Sequence, residues 1–116
     1  MNCKEDKREV VLAEPQVDTL EDFALDTLEP FDTIIVQTQN SMYRIFLLDP
    51  TTGRSLIEGG HLLDPIDALV IGSVYNGSTL IVGQIGIGMS LQFWSHGRLT
   101  TTSSIQSFHV ETHDLL

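Results

Sequence analysis

The sequence contains very little cysteine, and it has very little positive charge after its N-terminal quarter. Cys3 is the only cysteine in the 116 residues, so no disulfide can form within the chain. Residues 33–116 contain no lysine and only three scattered arginines. Phosphate groups are bound by clusters of lysine and arginine. The composition therefore argues against nucleic acid and against an anionic membrane surface as partners.

Long apolar runs are also missing. Residues 1–9 are mostly polar and charged, so they lack the apolar stretch of a secretory signal peptide. The longest apolar stretches elsewhere are interrupted by glycine and polar residues and are too short to span a bilayer. We therefore expect a soluble, cytoplasmic protein with no membrane partner.

The negative charge is concentrated at the N-terminus. Ten acidic and three basic residues give residues 1–32 a net charge of −7, whereas six acidic and three basic residues give residues 33–116 only −3. The charged residues 1–16 are typical of a disordered tail. We therefore expect an acidic extension over residues 1–32 and a separate folded domain over residues 33–113.

Within that extension, apolar residues recur at helical spacing before Pro30, which would end a helix. The spacing predicts an amphipathic helix over residues 17–29, of about three turns and too short to be stable alone. Its apolar face either packs on the folded domain or binds a partner protein. The candidate interaction residues are Val17, Leu20, Phe23 and Leu28.

Residues 33–113 consist of short apolar segments separated by turn sequences. Asp49-Pro50-Thr51-Thr52-Gly53, Asn76-Gly77 and His96-Gly97 are each typical of a tight turn between antiparallel strands. Between residues 89 and 95, Met89, Leu91 and Phe93 share one face of a strand, and Ser90, Gln92 and Trp94 share the other. The pattern predicts an all-β domain, a small barrel or sandwich of six to seven short antiparallel strands. Closure into a barrel would hide the strand edges.

Two aromatic side chains are predicted to point outward from this domain. The strand at residues 42–48 is apolar on both faces, which leaves Phe46 outside, and Trp94 lies opposite the apolar stripe of its own strand. An outward apolar face in a small β domain must pack against something. The candidates are the N-terminal helix, a second copy in a homo-oligomer, and another protein. We favour packing within the chain or a homodimer.

The segment GQIGIGMSLQFWSHGRLTTTSSIQSF, residues 83–108, resembles the end of the β-barrel domain beside the GTPase domain in translation elongation factors. The shared features are a glycine-bearing hydrophobic strand, a glycine turn, and a threonine-rich strand that ends in an Ile-x-x-Phe pattern. The resemblance implies a β-barrel fold and no activity, because the phosphate-binding loop of the GTPase is absent from this sequence.

Few residues suggest chemistry. Gly86-Ile87-Gly88 lacks the third glycine and the following helix of a nucleotide-binding loop. In an extended strand, His109, Glu111 and His113 share one face, where they could bind zinc or another divalent metal. The alternative is a polar C-terminal strand that faces solvent. No pairing of nucleophile and base is visible, so the sequence predicts no catalytic residues, no enzyme and no other cofactor.

Two hypotheses for the function remain. The first is a non-enzymatic protein-interaction or structural β domain, with a protein partner or a homo-oligomer. The second is a β-barrel that binds a metal or a small ligand and uses His109, Glu111 and His113.

Overall fold

The computed structural model describes residues 22–112 of the chain, and these residues are almost entirely β-strand. Between residues 22 and 112, the one helical element is a single 3-10 turn at Leu25–Thr27. The strands in chain order are β1 (Asp22–Ala24), β2 (Thr33–Thr38), β3 (Met42–Asp49), β4 (Arg54–Gly59), β5 (Leu62–Tyr75), β6 (Thr79–Val82), β7 (Gln84–Gly86), β8 (Ser90–Ser95) and β9 (Arg98–Glu111).

Six antiparallel strands form a closed ring. Strands β2, β3, β4 and β5 pair in chain order, β5 also pairs with β8, β8 pairs with β9, and β9 returns to β2. Strand β6 pairs with the C-terminal part of β5 and extends the sheet to seven strands. Strands β1 and β7 form a separate two-stranded sheet. The predicted small barrel of six to seven antiparallel strands is confirmed.

The core is built from alternate positions of the strands. In β8, Leu91 and Phe93 are buried in the barrel, while Trp94 points outward. In β3, Tyr43 and Ile45 are buried in the same way. This follows from the pleat of a strand, which sends successive side chains to opposite faces. The alternation predicted for residues 89–95 is therefore confirmed.

The predicted turn residues occupy tight turns. Gly53 has φ +83°, and its N–H donates a hydrogen bond of 2.8 Å to the Asp49 carbonyl oxygen. Both residues of the Asn76-Gly77 turn have positive φ, 54° and 75°, and so have both residues of the His96-Gly97 turn, 52° and 75°. Positive φ at both central residues gives a tight turn the backbone twist that matches antiparallel flanking strands. The three hairpins predicted at these turns are present.

The prediction of an α-helix over residues 17–29 is wrong for residues 22–29, the part that the structure describes. Residues 22–24 form β1 and pair with β7, and the Leu25 N–H donates a hydrogen bond of 2.7 Å to the Gly83 carbonyl oxygen. Leu25 is buried in the hydrophobic core. Pairing with β7 and burial of Leu25 outweigh a helical periodicity that is marginal on its own. Residues 22–32 therefore belong to the packed unit, N-terminal to the boundary predicted at Thr33.

Candidate functional site

The candidate interaction residues of the N-terminal segment contact the barrel of the same chain where the structure describes them. The ring of Phe23 lies 4.9 Å from the ring of Phe108 on β9, and both Phe23 and Leu28 are half-buried against the core. Val17 and Leu20 lie outside the described residues. Phe23 and Leu28 are therefore docked within the chain, and an interaction role for Val17 and Leu20 stays a prediction.

The predicted metal ligands His109 and Glu111 lie two positions apart near the end of β9, and both are exposed. The Glu111 carboxylate lies 4.0 Å from the Arg44 guanidinium, which also lies 3.2 Å from the carboxylate of Glu58. Residues 22–112 contain no group of three His, Cys, Asp or Glu side chains that could hold a metal ion. His113 lies outside that range, so the three-ligand set stays a prediction.

The outward aromatic side chain of β3 is covered by the chain itself. The ring of Phe46 stacks on the ring of Phe31, with their centres 5.9 Å apart and their planes 22° apart. Phe31 is held there because its N–H donates a hydrogen bond of 2.6 Å to the Leu47 carbonyl oxygen. Packing within the chain, one of the alternatives for this outward face, therefore applies to Phe46.

Trp94 has a different environment. It lies directly opposite Leu69 of β5 on one side and opposite Leu99 of β9 on the other. The Cβ atoms of directly opposed residues in antiparallel strands lie about 4.5–5.5 Å apart. The exposed fractions are 41% for Leu69, 44% for Trp94 and 48% for Leu99. Three adjacent strands therefore present a continuous exposed apolar surface, which we call the Trp94 strip (Leu69, Trp94 and Leu99).

A shallow groove of about 410 Å³ lies beside the strip. Arg54 of β4 is directly opposite Leu69, and its guanidinium lies 3.6 Å from the Asp67 carboxylate. His96, in the turn after β8, also lines the groove. The side chains of Arg54 and Asp67 are 60% and 59% exposed, so their ion pair adds little to stability. The pair gives the apolar strip a polar border on its Leu69 side, and polar borders around apolar centres are usual in interfaces.

The sequence identified Trp94 as an outward aromatic residue but missed both leucines of the strip. Leu99 was within reach of sequence reasoning, because a two-residue turn at His96-Gly97 places residue 99 opposite residue 94. Leu69 was not, because its position beside Trp94 depends on the pairing of β5 with β8, which are far apart in the chain.

Among residues 22–112, no helix has the length and hydropathy needed to cross a membrane. The resemblance of residues 83–108 to the barrel domain of elongation factors stays a prediction. A β-barrel fold by itself does not determine a function, which depends on the residues at a particular site. Comparison of this chain with protein-family models, with curated proteins and with solved structures finds no match.

Proposed function

We propose that this protein is a non-enzymatic interaction module that binds a partner protein through the Trp94 strip. The supporting observation is an exposed tryptophan directly flanked by two exposed leucines on neighbouring strands. Single apolar side chains are common on protein surfaces, whereas contiguous patches mark binding sites. Tryptophan is enriched among the residues that contribute most to binding energy, which makes Trp94 the central anchor of the surface.

The charge of the chain indicates what kind of partner fits. The whole chain carries a net charge of −10. Within residues 22–112, nine acidic residues face only three arginines, and two of those arginines, Arg44 and Arg54, are in ion pairs with acidic side chains. A second copy would bring the same negative charge, which opposes self-association. A partner with an apolar centre and a rim of lysine and arginine is complementary in both respects.

We expect Trp94→Thr to weaken the complex with such a basic partner by about 30-fold or more, as loss of an interface hot spot does. Threonine keeps the preference for a strand, so the barrel should remain folded. The partner would be captured on immobilised protein, identified by mass spectrometry and purified, and the Kd of both variants measured by calorimetry. Tyr75→Thr is the matched control, because Tyr75 is 52% exposed at the far end of β5, outside the strip.

Unchanged affinity of the Trp94→Thr variant would rule out the strip as the binding surface. Sedimentation experiments test the alternative of a homodimer. If the unsubstituted protein were a dimer and the Trp94→Thr variant a monomer, the strip would pair with a second copy, and the proposal of a basic partner would be wrong.

Fluorescence gives an independent measurement, because Trp94 is the only tryptophan in the chain. Its emission should shift to shorter wavelength when the partner covers it, since the indole then leaves water. The Kd should also rise with added salt, because screening weakens attraction between the acidic domain and a basic rim. Emission that stays unshifted in a saturated complex would place the partner on another surface.

A further inference from the structure

A second candidate binding site lies at one end of the barrel, where β4 and β8 end and β3, β5 and β9 begin. It is a cavity of about 550 Å³, within the size range of small-molecule sites. The rings of Tyr43 and Phe93 form its floor, with their centres 6.1 Å apart and their planes at 65°. Leu62 and Ile66 of β5 add apolar walls. This part of the cavity is suited to the apolar or aromatic part of a small ligand.

The turn between β4 and β5 holds the cavity in shape. Gly60 has φ +58°, and a Cβ atom there would lie 2.7 Å from the ring of Tyr43. The backbone of the turn therefore packs directly against the ring of Tyr43, an approach that glycine permits because it has no Cβ atom. The next residue, His61, lines the cavity as a consequence.

The rest of the lining is polar, and every ionisable side chain of the cavity other than Tyr43 is basic. It consists of His61, Ser95, His96, Arg98 and Thr100. None of the acidic residues that the structure describes lines the cavity, although the sequence contains 16 of them.

Arg98 differs from the other arginines in the described part of the chain. Arg44 lies 3.2 Å from the Glu58 carboxylate, and Arg54 lies 3.6 Å from the Asp67 carboxylate. Arg98 makes no ion pair with any residue between 22 and 112. In so acidic a domain, an arginine that has no carboxylate partner among residues 22–112 and lines a cavity with two histidines is a ready site for an anion from outside.

We propose that this cavity binds a small organic acid with an apolar or aromatic body. The body lies on the floor of Tyr43 and Phe93, and the carboxylate accepts hydrogen bonds from Arg98 at the rim. A planar guanidinium can donate two parallel hydrogen bonds to a carboxylate, which provides both strength and orientation. His61 and His96 add further donors around the anion. The cavity shares Ser95 and His96 with the groove beside the Trp94 strip, but its floor of Tyr43 and Phe93 is different. The proposed ligand binding does not depend on the partner protein.

The test compares 4-phenylbutyrate with its neutral analogue 4-phenylbutanamide, which has nearly the same shape and lacks the charge. Both are titrated into the full-length chain labelled with ¹⁵N, and amide shifts are followed by NMR. We expect saturable shifts around the cavity with the acid, and a Kd about tenfold or more higher for the amide. Arg98→Gln should raise the Kd of the acid by about tenfold or more, as loss of a charge-assisted hydrogen bond does.

Arg44→Gln is the matched control, because it removes an arginine that is already paired with Glu58 and lies outside the cavity. It should leave the affinity for the acid unchanged. The ¹⁵N spectrum of the backbone N–H groups shows whether the fold of each variant is intact. Equal affinity for acid and amide, an unchanged Kd in Arg98→Gln, no saturable shift with the acid, or shifts centred on the Trp94 strip would each overturn the proposal.

Discussion

Gly53→Ala should lower the free energy of unfolding by about 3 kcal/mol, and the same substitution at Gly77 by only about 1 kcal/mol. Both glycines lie in hairpin turns at similar positive φ, 83° and 75°. They differ in their surroundings. A Cβ atom on Gly53 would lie 2.1 Å from the carbonyl oxygen of Val70, whereas one on Gly77 would meet nothing within 4 Å in the described structure.

The backbone around Gly53 has little freedom to relieve that overlap. The Val70 N–H donates a hydrogen bond of 2.8 Å to the Gly53 carbonyl oxygen, and the Gly53 N–H donates one of 2.8 Å to the Asp49 carbonyl oxygen. Val70 is itself buried in the core. Space for a methyl group requires β4 and β5 to separate locally, so the strain of positive φ is joined by overpacking and weakened hydrogen bonds.

Urea unfolding of the two alanine variants and the unsubstituted protein measures the difference directly. The unfolding midpoint should fall much further for Gly53→Ala than for Gly77→Ala. Turn conformation alone predicts equal losses, because both positions have positive φ. Equal midpoints would therefore show that the close approach of Gly53 to Val70 does not exist in solution.

Leu25→Ala should lower the free energy of unfolding by about 3 kcal/mol, as truncation of a buried leucine does. Leu25 is only 2% exposed and lies in the same apolar cluster as the inward residues of the barrel strands. Leu63 provides a matched control, because it is 97% exposed at the start of β5. The change Leu63→Ala should alter stability by no more than about 0.5 kcal/mol.

This comparison decides whether the N-terminal segment stabilises the domain. Thermal and urea unfolding of both variants provide the measurement. If Leu25→Ala were as stable as the original protein, residue 25 would not be part of the core. The interpretation of residues 1–32 as an extension separate from the folded domain would then be restored.

Much of the fold follows from local features of the sequence. Strand residues such as Leu91 and Phe93 were recognisable because the pleat imposes a period of two on buried side chains. The turns at Gly53, Asn76-Gly77 and His96-Gly97 were recognisable because few residue types tolerate positive φ. These signals lie within a few neighbouring residues, so they are readable without knowledge of any distant contact.

The N-terminal segment shows where local reasoning fails. The apolar spacing of residues 17–29 predicts a helix, yet residues 22–24 pair with β7 and Leu25 enters the core. Short segments have weak intrinsic preferences, so hydrogen bonds and burial supplied by a distant part of the chain decide their conformation.

Both candidate sites depend on contacts between distant parts of the chain. The sequence by itself determined an all-β domain, its tight turns and the outward position of Trp94. Only the tertiary structure placed Leu69 beside Trp94, because closure of the barrel brings β5 against β8. The same closure places His61 and Arg98 around one cavity. The physical reason is that register between distant strands is set by burial of the whole inner face, a property of all six strands together.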